Sequence, residues 1–116
     1  MDKIFISELQ LDTRIGCSKE ERLSKQNISL NITLEVDGSK AAKSKNLVDS
    51  VCYLTICNLI SEHVEKKEWV LLEELTYEIA ELCLEKNNLI KSAEVETKKY
   101  VIPSTAFTSF KTKKIA

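Results

Sequence analysis

From Ile28 to Val36 apolar and polar residues alternate without a break: Ile28, Leu30, Ile32, Leu34 and Val36 against Ser29, Asn31, Thr33 and Glu35. A period of two puts each set on its own face of a pleated strand, one face buried and one wet. Leu9, Leu11, Thr13 and Ile15, interleaved with Gln10, Asp12 and Arg14, predict a strand before it. Gly16 ends that strand, and Ser18-Lys19-Glu20-Glu21 has the spacing of a capping box around one short helical turn. Asp37-Gly38 closes the second strand, and Ser39 to Val48 reads as a polar crossover connection.

Beyond it the period changes. Tyr53, Ile56, Cys57, Ile60, His63 and Val64 fall at helical spacing, with Asp49 or Ser50 as N-cap. Lys66-Lys67-Glu68 is a polar break, after which Leu72, Leu75, Ile79, Leu82 and Cys83 form a second helical stripe ending at Asn87-Asn88. Ala93, Val95, Thr97 and Lys99 share one face of a third strand, Pro103 marks a loop, and Ala106 to Lys111 makes a short last strand. The order β-β-α-α-β-β predicts an α+β fold: a four-stranded antiparallel sheet with both helices on one face. Such a sheet has open edges, which neighbouring copies can cover, so a ring-shaped homo-oligomer is expected.

Composition narrows the field. At 116 residues with 43% apolar content the chain makes one domain with a real core, and 2 Gly and 1 Pro leave no linker. Lys+Arg 17 against Asp+Glu 18 gives a net charge of −1, which argues against a nucleic-acid or membrane partner. Lys111, Lys113 and Lys114 read as a solvated tail. Cys17, Cys52, Cys57 and Cys83 lack Cys-x-x-Cys spacing, so reduced thiols and a cytoplasmic location are expected. Met1-Asp2-Lys3 runs straight into a strand pattern, with no signal peptide or membrane-length apolar run.

Four polar residues stand where regular segments begin or end: Glu21, Tyr53, Glu73 and Lys99. By strand parity Lys99 points to the helix side and Lys98 away. Burial there favours the neutral amine, usable as a base near neutrality, whereas an amine snorkelling off a strand end is the plain alternative. Glu73 opens the second helix, where the dipole alone could keep a carboxylate, or where it could grip a guanidine-like ligand edge. Glu74 beside it is then a solvated neighbour. Glu21 is either the partner of Ser18 in the capping box or a functional carboxylate. Tyr53 is either a core tyrosine with its hydroxyl in solvent or a proton carrier. His63, the one histidine, reads as packing or interface. No metal-site spacing, phosphate loop or Ser-His-Asp order can be assembled.

From Ile4 to Phe110 the chain resembles the dihydroneopterin aldolase family. The likeness rests on Ile15-Gly16 followed by Glu21, Gln26 before the alternating strand, and Asp49-Ser50-Val51-Cys52-Tyr53. It continues through Leu71-Leu72-Glu73 with Ile79-Ala80, and Val95 to Lys99. The resemblance implies a tunnelling fold in which four subunits close their sheets into a barrel and two rings stack into an octamer, with active sites between neighbouring subunits. It implies retro-aldol cleavage of dihydroneopterin to hydroxymethyl-dihydropterin and glycolaldehyde in folate synthesis, without cofactor or metal. Lys99, Tyr53 and Glu21 would be the catalytic group, Glu21 coming from the adjoining subunit, while Glu73, Leu72 and Tyr53 would bind the pterin. The chain departs from the family pattern in having Tyr100 after Lys99, where Pro is common. Arg14-Ile15-Gly16, Lys19-Glu20-Glu21 and Ala93-Glu94-Val95-Glu96 look at least as similar to the dihydroneopterin triphosphate epimerase branch. A triphosphate would need cations such as Lys43, Lys45 or Lys98. A non-catalytic pterin-binding ring is a third reading.

Overall fold

The alternating segment becomes β2 (Gln26–Val36), the strand on which the protein is built. Its Ile28, Leu30, Ile32 and Leu34 are fully buried, each contributing about 1.5–3 kcal/mol of apolar transfer. In this computed structural model, which describes residues 1–116, β2 pairs antiparallel with β1 (Asp2–Ile15) and β4 (Ser92–Lys99). β5 (Thr108–Ile115) adds to β4 in the same sense. On the inward face lie α2 (Tyr53–Glu65) and α3 (Leu72–Lys86), whose Ile56, Ile60, Val64, Leu75, Ile79 and Cys83 join the strand residues in one core.

Five points differ from the sequence expectation, each for a local reason. β1 begins at Asp2 rather than Leu9, because a bulge between Ile6 and Leu9, with Glu8 at φ 53°, resets the parity. Ile4 and Ile6 thus turn inward with Leu9 and Leu11, although the two pairs are out of phase along the chain. The polar crossover contains a short helix, α1 (Ser39–Ser44), closed by Lys45 in the left-handed conformation. α2 is capped by neither Asp49 nor Ser50: its N-cap is Cys52, and Asp49 sits in a preceding turn, paired with Lys40 at 3.3 Å.

The polar break after α2 is the fourth. Glu68–Trp69 forms β3, parallel to the end of β1, so the sheet has five strands in the order β3-β1-β2-β4-β5. Trp69 is fully buried with its indole N–H on the Val64 carbonyl (3.0 Å), which a hydropathy pattern around Lys66 and Lys67 conceals. Last, β5 runs to Ile115, and the basic C-terminus is no loose tail. Lys111, Lys113 and Lys114 pair with Glu94, Glu35 and Glu81.

Candidate active site

Lys99 ends β4 on the face carrying Ala93, Val95 and Thr97, all buried, and is itself 9% exposed. Lys98 turns to the opposite face and pairs with Glu8, as strand parity requires. Lys99 does not meet an apolar wall alone. Its Nζ donates to Glu21 Oε2 at 2.7 Å within the same chain. The hydrogen bond from Lys99 is the chief reason that the Glu21 carboxyl lies below its ordinary range.

The capping box forms only in half. The Glu21 backbone N–H donates to Ser18 Oγ (3.1 Å), but its carboxylate turns to Lys99 rather than back to the cap. Gly16 makes that turn possible: a Cβ there would lie 2.3 Å from Glu21 Cδ. Gln26 donates to the Ile15 carbonyl (2.6 Å) and to Glu21 Oε2 (3.4 Å). Glu21, Gln26, Asn27 and Tyr100 border an open cleft of about 600 Å³.

α3 is registered to this end of β4 by one polar contact. Thr76 Oγ1 donates to the Leu72 carbonyl (2.6 Å) and meets Thr97 Oγ1 at 2.8 Å, both threonines buried. The first turn of α3, with the half-buried Leu72 and the exposed Glu73, therefore lies at the Lys99 end of the layer. Glu74 is exposed, as a solvated neighbour should be, and its carboxylate also accepts the Val70 N–H at 3.1 Å, closing the entry to the helix. Glu73 is left free, at the rim of a shallow hollow shared with Tyr77 and Phe110.

Tyr53 stands elsewhere. It is the first residue of α2 and 64% exposed, not a core tyrosine. The other end of α2 is fixed near Lys99, because Val64 O accepts from Thr13 Oγ1 (2.9 Å) on β1, and the 13-residue helix spans about 20 Å at 1.5 Å per residue. Cys52 and Thr55 border a hollow with Lys86 and Asn87, at the far end of α3. One chain thus joins Lys99 to Glu21, sets the first turn of α3 with Leu72 and Glu73 at the same end of the layer while Glu73 borders a separate hollow, and holds Tyr53 at the opposite end.

The family model described as FolB, dihydroneopterin aldolase, matches residues 4–112, from β1 well into β5. The chain belongs to the dihydroneopterin aldolase family. Among its relatives, the dihydroneopterin triphosphate 2'-epimerase of Pseudomonas aeruginosa is 36% identical over 99 residues, 85% of this chain and 80% of that protein. The dihydroneopterin aldolase of Escherichia coli K12 is 35% identical over 88 residues, 76% of this chain and 72% of that one. The crystal structure of E. coli dihydroneopterin aldolase in complex with neopterin superposes with a TM-score of 0.94 at 28% identity, covering 98% of this chain and 99% of that one. The family's fold is therefore this chain's fold.

Several site residues carry little sequence signal of their own. Gln26 stands out only by resemblance, and Tyr100 only as a departure from the family pattern. Tyr100 has a definite place: its hydroxyl meets Ser29 Oγ at 2.6 Å on the outer face of the sheet, and its ring stands edge-on to Phe107. His63 packs against Trp69 and bonds Glu78 at 2.9 Å, away from the cleft. All four cysteines are unpaired, and burial pushes the Cys83 thiol up to about 12. No helix is long and apolar enough to cross a membrane.

Proposed function

We propose that the protein is a dihydroneopterin aldolase, cleaving the side chain of a 7,8-dihydropterin to leave hydroxymethyl-dihydropterin and release glycolaldehyde. The observation that carries this reading is the Lys99–Glu21 pair, with Lys99 buried and Glu21 bordering a cleft, in a chain of this family. A base removes the proton of the side-chain hydroxyl and the adjacent C–C bond breaks. Its electron pair moves into the pterin's own C=N bond, so the ring is the electron sink and no Schiff base, metal or cofactor is required. The enamine then takes a proton on carbon.

Lys99 is the acid/base group, acting through water, and Glu21 holds its ammonium and orders that water. The free carboxylate of Glu73, with Leu72 beside it, suits the amino and N–H edge of the pterin, where two parallel bonds fix the ring. Tyr53 carries the proton to the enamine. Its place at the far end of the layer supports its coming from a neighbouring subunit, and Glu21 from the same one as Lys99. Open backbone edges on β5 and on most of β1 support closure of several copies into a barrel-shaped ring, stacked as an octamer. Four free thiols support a reducing compartment, the cytoplasm.

Epimerisation is the second reading, favoured by epimerases standing among the relatives at 36% and 35% identity. It uses the same bond cleavage and re-forms the bond with inversion before glycolaldehyde leaves. Lys98, one candidate for a triphosphate, is engaged with Glu8 on the other face of the sheet. Incubating the purified protein with dihydroneopterin and with its triphosphate, then separating the products, tests the readings. Glycolaldehyde release is expected. Inverted triphosphate alone would assign the epimerase, and no conversion of either would leave a binding ring.

A further inference from the structure

The turn that carries Glu21 is held by two arginines that touch neither Lys99 nor the cleft. Arg22 follows Glu21 in the turn Glu21–Leu23, and its side chain is 16% exposed. Its Nη1 donates to the Gly16 carbonyl at 2.7 Å and its Nε to Glu68 Oε1 at 3.2 Å. From the other side Arg14 donates through Nη1 to the carbonyls of Arg22 (3.3 Å) and Leu23. Gly16 is in turn fixed by its N–H on the Trp69 carbonyl at 2.9 Å. It is also the residue whose Cα lies beneath the Glu21 carboxyl.

The consequence is mechanical. Glu21 reaches Lys99 from a three-residue turn with no buried side chain of its own, so hydrophobic packing does not set its position. What does is a guanidinium fork bridging the turn to the ends of β1 and β3. Arg suits this because one planar group bonds a carbonyl and a carboxylate in fixed directions, which an ammonium does not do. β3 acquires a purpose here: its exposed Glu68 anchors the fork.

We propose that Arg22 is a positioning residue, which with Arg14 and Glu68 sets the reach of Glu21 to Lys99. The kinetic part of this inference rests on the aldolase reading, and the structural part does not. Two readouts are therefore taken on the full-length protein for Arg22→Ala, Arg22→Lys and the milder Glu68→Gln. The first is kcat and KM with dihydroneopterin. A small displacement of a group at the reacting atoms costs rate more than binding, so kcat should fall about 10- to 100-fold in Arg22→Ala with KM within about 3-fold. Arg22→Lys should recover little of it, and Glu68→Gln should lose least.

The second readout is the rate at which Lys99 is acylated by an amine-reactive ester, followed by mass spectrometry with Lys67 and Lys114 as internal references. Loosening Glu21 should raise Lys99 labelling several-fold in Arg22→Ala and leave the references unchanged. An unchanged Lys99 labelling rate in a folded Arg22→Ala would overturn the inference, as would a KM effect exceeding the kcat effect. Should Arg22→Ala not fold, the same criteria apply to Arg22→Lys, which keeps the charge and loses the fork. If the wild type turns over neither pterin, the aldolase reading fails while the labelling arm still decides the clamp.

Discussion

The two ends of the helix layer are built on opposite terms. At the Lys99 end the polar groups are buried or half-buried and mutually satisfied: Lys99 with Glu21, Glu21 with Gln26, Thr97 with Thr76, Trp69 with Val64. At the Tyr53 end the apolar groups are out in the open. Leu47, Val48, Tyr53 and Leu54 are each more than 60% exposed, and no side chain caps α2. In the proposed mechanism the first end would supply the acid/base pair and the second the tyrosine that carries the proton, which is the arrangement expected of half-sites completed between copies.

The largest effect separates chemistry from recognition within the polar end. Lys99→Ala should lower kcat by at least about 10²-fold, the scale of a lost general acid/base, while pterin binding by calorimetry survives. Glu73→Ala should instead lose binding. Equal loss of both properties in both variants would refute the division of labour.

Next comes a test of whether the two ends meet. Lys99→Ala and Tyr53→Phe subunits, each inactive or nearly so, are unfolded, mixed and refolded together. If sites are shared, random pairing should give up to about a quarter of sites carrying both native residues, and activity should return in proportion. Mixed oligomers as inactive as their parents would put Tyr53 outside the site.

The contrast also predicts two kinds of stability loss. Ile79→Ala, in the fully buried core, should cost about 2–5 kcal/mol by urea denaturation. Leu54→Ser, at a side chain 63% exposed, should change subunit unfolding far less and show itself in the sedimentation profile as weaker assembly.

The smallest expected effect is in pH. Glu21 at one end and Glu35 at the other both have lowered carboxyl values; Glu35, bonded by Ser92 and Lys113, is brought down to about 2. A carboxyl depressed on folding stabilises fully above its unfolded value of about 4.3 and loses that contribution as pH falls through the folded value. The urea midpoint should therefore decline between about pH 4.5 and 2, and Glu35→Gln should flatten that decline. For Glu21 the sign is the same, so its pair with Lys99 should persist below the ordinary carboxylate range. A midpoint insensitive to acid in the wild type would contradict both.

Much of the site was legible beforehand because it lies on regular elements. Strand parity separated Lys99 from Lys98, and the family motifs picked out Glu21, Tyr53 and Glu73. The arginine fork was not legible, since Arg14 and Arg22 act on carbonyls, which have no sequence signature, and the one carboxylate Arg22 holds, Glu68, is 46 positions away. The bulge at Glu8 hid half of β1 for a related reason: one inserted residue reverses parity, and a period-two reading then stops. The bond that Glu74 accepts from the Val70 backbone N–H was hidden in the same way.

Side-chain periodicity alone was enough to specify the class of fold, the buried faces of β2 and β4 and the face on which Lys99 lies, because those depend only on which residues must leave water. Partnership needed three dimensions. That Lys99 meets Glu21 across 78 positions, that Glu68 belongs to a strand, and that Tyr53 lies a helix length from the amine all follow from how elements stack. Stacking is governed by packing between surfaces far apart in the chain, which no local pattern encodes.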